Sequence, residues 1–466
     1  MALTKDLFIW FVGSLLGIAY MPCDAQIAED VPRVMKETKN VFEVGVCTHF
    51  SQNKGYLEQN LASLHAAGID SIRDEVSWGG IERVKGKLVM PESYDRYVRQ
   101  MARAGIEVML ILDYANRHYD GGDRPRSPEA IEGYCRYAEF VVRHFGEDVR
   151  LYEIWNEYDI GIGLPRQFNK GGSPEDYMKM LKAVYPRIKA IHPKATVIAG
   201  ASTSGGVKRG WLEKIIQLGA LQYSDAISIH SYNYSDKFPE RGPEACSKWM
   251  TSVQEMLQKY NNGIEVPFYV TEMGWPTHVG KRGTAPELSA SYLARLYLLA
   301  RRSKSFAGIW WYDFQDDGWN AEHNENNFGI VRPDLTPKPA YYVLANISEL
   351  IGRGQYIDRF KTENDQLWIL RFRHNGQDVW VVWSSDDQER QVIFENQKPV
   401  GRIQVQETGR REQSRSWGYR AWVSREKRIF PDRSSIVVGS RPVLLQGNLN
   451  DVSVIQIIPR PREKAN

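Results

Sequence analysis

Two glutamates that follow apolar, strand-like runs are the residues best suited to chemistry in this sequence. Glu157 closes the stretch 153–157, and Glu272 follows the apolar run 268–271. The two lie 115 positions apart (272 − 157), so only a fold that gathers strand ends around one site can bring them together. A facing pair of carboxylates suits the cleavage of a glycosidic bond, with one as proton donor and the other as nucleophile or base.

The elements that must position these glutamates are predicted from apolar runs that alternate with longer amphipathic segments. The predicted strands are 42–48, 69–76, 106–113, 149–155, 196–200, 226–230, 268–271 and 307–313. Several are apolar on successive residues, which is typical of strands covered on both faces. Eight such strands, each followed by a helix, predict a (β/α)₈ TIM barrel. The sequence after the first strand, 48–50, is not the glycine-rich phosphate loop of an open doubly wound sheet.

Helix starts and the end of the barrel are also marked in the sequence. The stretches 127–129 and 173–175 each combine a capping serine, a first-turn proline and a glutamate. After Gly352 the pattern changes to short β-rich runs, two of them joined through Asn375-Gly376, a strong hairpin signal. The domains predicted from this change are a catalytic barrel over 38–352 and a smaller accessory β-sandwich over 353–466.

The N-terminal segment has the pattern of an export signal. Lys5 precedes an apolar stretch, 7–20, that suits a signal-peptide core and is short for a bilayer span. Small residues flank Asp24, which predicts a signal peptide over 1–25 and a mature chain that begins at Gln26. An uncleaved membrane anchor is the competing interpretation. The expected destination is secreted or periplasmic.

Composition narrows the expected partners and cofactors. The formal net charge is +3 without a long charged run, which argues against nucleic acid or an anionic membrane as the main partner. The 14 Trp and 24 Tyr suit stacking on sugar rings, although most of them are expected to fill the core. Cys47, Cys135 and Cys246 are expected to be idle thiols, with one disulfide as the alternative, and no metal-site spacing is present. No metal or organic cofactor is expected.

Polar and aromatic residues crowd the C-terminal ends of the predicted strands, where the chemistry of a TIM barrel takes place. In strand order these residues are His49, Arg73 with Glu75, Asp113 with Asn116, Asn156-Glu157, Ser202, His230 with Tyr232, Glu272 and Trp310-Trp311. The strands themselves are apolar, so this sorting predicts one polar site at that end of the barrel.

These strand ends resemble those of clan A, a large group of retaining (β/α)₈ glycoside hydrolases. Asn156-Glu157 after strand four and Glu272 after strand seven match the two signatures of the clan. Arg73 after strand two, 230–232 after strand six and a tryptophan after strand eight agree with it, and 78–86 resembles its loop after strand two. A barrel with a trailing β-sandwich is most similar to family 39 and its bacterial exopolysaccharide-cleaving members.

The resemblance and the chemistry of the residues imply roles for the two glutamates. Glu157 is the expected general acid/base, with a pKa raised by burial beside Trp155 and by a second carboxylate. Glu272 is the expected nucleophile, kept ionised by Arg73 and oriented by Tyr232. The pairing predicts carboxyl groups about 5–5.5 Å apart and retention of anomeric configuration. A surface ion pair is the alternative role for Arg73.

Further residues are expected to bind the sugar. Asn156 is expected to bond the hydroxyl next to the reacting carbon, and His230 to orient one of the two glutamates, with a satisfied core histidine as its alternative role. Trp311, or less favourably Trp310, is the expected sugar platform; the two point to opposite faces if both are in the strand. The remaining candidate binding residues are His49, Asn116 and Trp275.

The function predicted from these observations is a secreted retaining glycoside hydrolase, endo-acting on a polysaccharide. The second hypothesis is an exo-acting glycosidase of the β-xylosidase kind. The third is a catalytically silent polysaccharide-binding protein that keeps the cleft. The expected partner in each case is a polysaccharide or oligosaccharide.

Overall fold

The chain folds into a closed parallel barrel followed by two antiparallel sheets. The structure is a computed structural model and describes residues 42–396, 404–407, 433–447 and 452–459. The predicted signal peptide and the predicted first residues of the barrel domain lie outside this part of the chain. Among the helices within these ranges, none has the length and apolar character that a bilayer crossing requires.

Eight parallel strands close the barrel in sequence order, and the first pairs with the eighth. The strands are β1 Glu43–Cys47, β2 Ser71–Glu75, β3 Glu107–Leu112, β4 Leu151–Ile154, β5 Thr196–Thr203, β6 Ala226–His230, β7 Phe268–Met273 and β8 Phe306–Trp311. Each of them coincides with one of the predicted apolar runs, so the predicted TIM barrel is confirmed.

The helices lie between the strands and cover the outside of the barrel. Those within the described ranges are α1 Leu57–Ala66, α2 Trp78–Ile81, α3 Glu92–Arg103, α4 Pro128–Phe145, α5 Pro174–Ile191, α6 Ser204–Lys208, α7 Trp211–Gln217, α8 Pro243–Tyr260, α9 Pro286–Ala300 and α10 Pro339–Arg353. The hydroxyl of Ser127 accepts the N–H of Ala130, and that of Ser173 accepts the N–H of Asp176. Both predicted helix starts are therefore confirmed, because these serines bond amides that the helix cannot satisfy itself.

Alternate residues of each strand point to different layers of the core. A small inner layer fills the barrel, and its members are Cys47, Met109, Leu151, Ile198, Ala226, Tyr269, Ala307 and Trp310. Trp310 therefore points inward, while the next residue, Trp311, packs with the outer layer under the helices. The indole of Trp310 needs a glycine beside it, because a Cβ on Gly45 would lie 2.4 Å from the ring. The two tryptophans face opposite sides of the strand, as predicted.

The C-terminal part is rich in antiparallel strands. One sheet has the order β13-β15-β11-β10-β9 and the other β14-β12-β16. The strands are β9 Gln355–Arg359, β10 Leu367–His374, β11 Gln377–Ser384, β12 Arg390–Asn396, β13 Gln404–Glu407, β14 Arg433–Val438, β15 Val443–Gly447 and β16 Val452–Pro459. Asn375 and Gly376 join β10 to β11 with φ values of 48° and 75°, so the predicted hairpin is confirmed.

A buried arginine connects the barrel helices to the C-terminal sheets. Arg295 on α9 is fully buried and donates from Nε to Glu244 on α8 at 2.9 Å. Its Nη1 donates to Asp387 at 3.2 Å and to the hydroxyl of Ser440 at 2.9 Å. Trp383 of β11 also donates its indole N–H to Glu244, at 2.7 Å. One charged cluster therefore ties two helices to two loops of the C-terminal part.

Replacing Arg295 with methionine is expected to lower the free energy of unfolding by about 3–5 kcal/mol, because it leaves the Glu244 carboxylate without its cation in a mostly buried place. The measurement is chemical denaturation of both proteins. Lys179→Met is the matched control: Lys179 pairs with Asp176 in solvent, and its loss is expected to change stability by less than about 1 kcal/mol. Equal stability of the Arg295 variant and the wild type would contradict this role.

Candidate active site

The ends of β4 and β7 bring the two predicted catalytic glutamates together. Carboxylate oxygens of Glu157 and Glu272 and a ring nitrogen of His230 all lie within 4.8 Å of one another. Glu157 and Glu272 are buried, at 7% and 8% exposed. This spacing leaves no room for a separate water behind the sugar and corresponds to the shorter of the two carboxylate separations known in glycosidases.

The backbone that presents Glu157 is strained. Trp155 and Glu157 have φ values of 68° and 47°, in the left-handed region that residues with a Cβ seldom adopt. The indole of Trp155 is buried against Tyr134 and Tyr158, which holds the turn in place. Such conformations persist only where the surrounding structure imposes them, and they concentrate at functional sites.

Glu272 is bonded on both carboxylate oxygens. Nη1 of Arg73 donates to Oε1 at 2.7 Å, and the hydroxyl of Tyr232 donates to Oε2 at 2.9 Å. Burial alone would raise the pKa of Glu272, but the charges of His230 and Arg73 and these hydrogen bonds lower it below its ordinary value. Glu272 is therefore held as a carboxylate.

Glu157 has the opposite electrostatic setting. Burial raises the pKa of Glu157 above its ordinary value, outweighing the bond to His230, and Glu272 raises it further. Nδ1 of His230 lies 2.7 Å from Oε1 of Glu157. Burial alone would lower the pKa of His230, but the two glutamates raise it. Two neighbouring carboxyl groups with pKa values moved in opposite directions are the arrangement of a paired acid and nucleophile.

Asn156 is fixed on the same side of the site. Its Oδ1 accepts Nη2 of Arg73 at 2.9 Å, and its Nδ2 donates to the hydroxyl of Tyr114 at 2.9 Å. Among the described residues, Tyr114 is the one acceptor given for this amide nitrogen. The structure thus brings Asn156, Arg73, His230 and Tyr232 together around the two glutamates.

His49 belongs to a second polar cluster next to the glutamates. Its Nδ1 lies 3.6 Å from Asp313 and 3.3 Å from Asp317, and Lys54 also bonds Asp317. Burial by itself would lower the pKa of His49, but the bond to Asp317 and the charge of Asp313 raise it to about 9. The half-buried ring of Tyr312 packs edge-on against His49, with centroids 5.9 Å apart. This cluster forms the wall between β1 and β8.

Two groups of side chains in the described ranges have the donor types and spacing to hold a metal ion. One is Glu157, His230 and Glu272, and the other is His49, Asp313 and Asp317. In each group a cation of the protein already bonds one carboxylate: Arg73 bonds Glu272, and Lys54 bonds Asp317. These ion pairs supply the positive charge that a metal would otherwise bring.

Three predicted binding residues lie away from the site, and the prediction needs correction for them. Trp311 is 1% exposed, points to the helices and donates its indole N–H to the carbonyl of Phe328. Trp275 is fully buried against Trp311 and donates to the carbonyl of Arg241. The buried amide of Asn116 donates to the carbonyls of Trp78 and Glu82 in the loop region after β2. All three hold loops or core in place and offer no surface to a sugar.

Two residues near the glutamates were not selected from the sequence. Tyr312 follows the two tryptophans of β8 and presents a half-buried ring to Tyr232, with centroids 6.4 Å apart. Glu153 lies in β4 and binds Arg73 below Glu272. A charged residue inside an apolar strand was the available signal for Glu153. For Tyr312 the signal was alternation, since it shares the inward phase of Trp310.

Sequence comparisons relate this chain to known glycoside hydrolases. The family model described as cellulase (glycosyl hydrolase family 5) matches residues 34–313. Beta-glucosidase 9 of Arabidopsis thaliana is 26% identical over 177 residues, 34% of this chain, and the chain spans about a third (33%) of that protein's length.

Solved structures show the same fold. A family 39 glycoside hydrolase from the gut symbiont Bacteroides cellulosilyticus has a TM-score of 0.71 at 24% identity, over 87% of this chain and 81% of its own. A monomeric beta-xylosidase from Caulobacter crescentus has a TM-score of 0.60 at 14% identity, over 90% and 98%. The predicted resemblance to clan A is confirmed by the family model, and the fold is similar to that of a family 39 enzyme.

Proposed function

This chain belongs to the cellulase family, glycosyl hydrolase family 5, and we propose that it cleaves the O-glycosidic bonds of a polysaccharide by double displacement. The observation that carries the proposal is the pair Glu157 and Glu272, close together and with pKa values moved in opposite directions. The same arrangement predicts that the anomeric configuration is retained.

In the first step Glu272 attacks the anomeric carbon. The glycosidic C–O bond breaks, and its electron pair stays on the leaving oxygen, which takes the proton of Glu157. Asn156 bonds the hydroxyl beside the reacting carbon, an interaction that strengthens as positive charge develops on the ring. Tyr232 and Arg73 hold the attacking carboxylate in line.

In the second step the roles of Glu157 reverse. Its carboxylate, next to His230, removes a proton from water as the oxygen attacks the anomeric carbon. The ester bond to Glu272 breaks, and Glu272 returns as a carboxylate. Two inversions at one carbon give net retention.

The pH dependence of kcat/KM is expected to be bell-shaped. Activity needs Glu272 ionised and Glu157 protonated, so it falls as pH drops through the lowered pKa of Glu272 and as pH rises through the raised pKa of Glu157. Initial rates across pH test this, and Glu157→Gln on an activated aryl glycoside is expected to lose the alkaline limb. An alkaline limb of unchanged position in that variant would contradict the assignment.

The proposed substrate is a polymer cut within the chain. Trp319, in the loop after β8, is 68% exposed, and its aromatic face is of the kind that stacks on sugar rings. An exo-acting β-xylosidase-like enzyme is the second candidate, favoured by the cluster of His49, Lys54 and Asp317, which could hold the hydroxyls of a terminal sugar. A binding protein without catalysis is disfavoured, since the complete carboxylate pair and its partners are present.

A panel of xylan, β-glucan, mannan and bacterial exopolysaccharides, with sizing of the products over time, tests the proposal. Early oligosaccharides of mixed length support endo action, and single sugars from the start support exo action. Absence of hydrolysis across the panel, with binding retained, would favour the binding protein. We also propose export; a mature N-terminus at Gln26 in the native host, found by mass spectrometry, would support it.

A further inference from the structure

A buried glutamate lies under the reacting pair and does not face the substrate. Glu153 on β4 is fully buried. Its Oε2 accepts Nε of Arg73 at 2.7 Å and lies 2.6 Å from Nη2 of the same guanidinium. Its Oε1 accepts the hydroxyl of Ser228 at 2.6 Å, and that hydroxyl accepts the N–H of Ala201 at 2.9 Å. Strands β4, β5 and β6 thus fix this carboxylate.

Arg73 therefore stands between two carboxylates. One edge of the planar guanidinium, formed by Nε and Nη2, meets Oε2 of Glu153, while Nη1 reaches Glu272 and Nη2 also reaches Asn156. A forked contact on one side sets the direction of the remaining N–H groups. Arg73 thus contacts a second buried carboxylate, although the charge of Glu272 alone would neutralise it.

The two steps of double displacement explain the second glutamate. As Glu272 bonds the anomeric carbon, its negative charge is lost into the ester, the leaving oxygen takes the proton of Glu157, and Glu157 becomes the anion. The net charge of the site is conserved, but Arg73 no longer has the negative charge of Glu272 beside it. An arginine that is 3% exposed and without a counter-charge is strongly disfavoured in a protein interior.

We propose that Glu153 is a positioning residue that acts through Arg73 and supplies its counter-charge while Glu272 is neutral. This inference rests on the proposed double-displacement function. Without Glu153, states with a neutral Glu272, whether esterified or protonated, become less stable relative to the ionised state. Formation of the covalent intermediate then slows.

The test compares Glu153→Gln with the wild type. The ¹³C NMR titration of the Glu272 side-chain carboxyl, assigned with Glu272→Gln, needs no substrate. Its midpoint is expected at lower pH in Glu153→Gln, with kcat/KM lowered roughly 10- to 100-fold on any substrate the panel yields. Glu153→Asp, which keeps the charge, is expected to restore the midpoint. Ser228→Ala, which leaves both charges in place, is expected to leave it near the wild-type value.

The inference is overturned if the titration midpoint of Glu272 is unchanged or higher in folded Glu153→Gln. It is also overturned if Ser228→Ala lowers that midpoint as much as Glu153→Gln does. If Glu153→Gln does not fold, the double variant with Arg73→Met removes both charges; recovery of folding supports the pairing, and failure to recover contradicts it. Absence of hydrolysis by the wild type overturns the proposed function instead. An unmoved titration with hydrolysis intact overturns only the role of Glu153.

Discussion

Glu272→Ala is expected to lower kcat/KM on the order of 10⁵-fold while the protein still binds its polysaccharide. The substitution removes the atom that bonds the anomeric carbon and leaves a cavity within reach of Arg73 and Tyr232. Nothing else in the described part of the site offers an ionised oxygen in that position. Initial rates and affinity electrophoresis in polysaccharide gels measure the two quantities.

Glu325→Ala is the matched control for this prediction. Glu325 is an exposed carboxylate in the loop after β8, and its pKa is raised first by partial desolvation and then by the charges of Asp317 and Glu272. Its carboxylate accepts a hydrogen bond from the side-chain amide of Asn324 and has no role in the mechanism. Its loss is expected to change kcat/KM less than about 10-fold. Equal losses in both variants would show that the charge of the cleft, not the nucleophile, matters.

Glu157→Ala is expected to lower kcat/KM about 10²- to 10⁴-fold on natural glycans, because their leaving oxygen needs a proton. On aryl glycosides with an acidic leaving group the first step needs little acid, so the covalent intermediate accumulates. Sodium azide fits the space left by the carboxyl and is expected to restore turnover. The product is then a glycosyl azide of retained configuration, identified by NMR.

For Glu272→Ala, addition of azide is expected to give a product of the opposite anomeric configuration. In that variant azide replaces the nucleophile and attacks the sugar directly, so the glycosyl azide has inverted configuration. A glycosyl azide of retained configuration from Glu157→Ala and one of inverted configuration from Glu272→Ala together assign both roles. The reverse pattern would exchange the roles of the two glutamates, and the absence of a glycosyl azide from both variants would contradict double displacement.

The fold and the catalytic pair could be predicted because local signals agree with the global arrangement. Runs such as 106–113 are apolar on successive residues, which restricts them to strands buried on both faces. Counting eight of them placed Glu157 after the fourth strand and Glu272 after the seventh. The parallel barrel then requires both side chains at the same end.

Side-chain direction at the strand ends was harder to predict. Trp310 and Trp311 are both large and apolar, and both layers around β8 are apolar, so the sequence could not decide which one faces inward. The structure gives the inward phase to Trp310 and Tyr312. Successive residues of a strand point to opposite faces, so Trp311, one residue after Trp310, lies under the helices.

Hydrogen-bond partners that come from distant segments of the chain could not be predicted either. The amide of Asn116 is satisfied by carbonyls of Trp78 and Glu82, which belong to the preceding β/α unit. No local pattern reveals such a contact. Glu153 could have been found, since a charge inside an apolar strand must be paired when buried, and Arg73 was the available cation.

The most direct test of the double-displacement mechanism is the anomeric configuration of the first product of the wild-type enzyme. ¹H NMR during hydrolysis, before mutarotation equilibrates the sugar, gives this configuration from the coupling of the anomeric proton. The separation of Glu157 and Glu272 predicts that the first product has the configuration of the bond that was cleaved. A first product of opposite configuration would contradict Glu272 as nucleophile and the mechanism built on it.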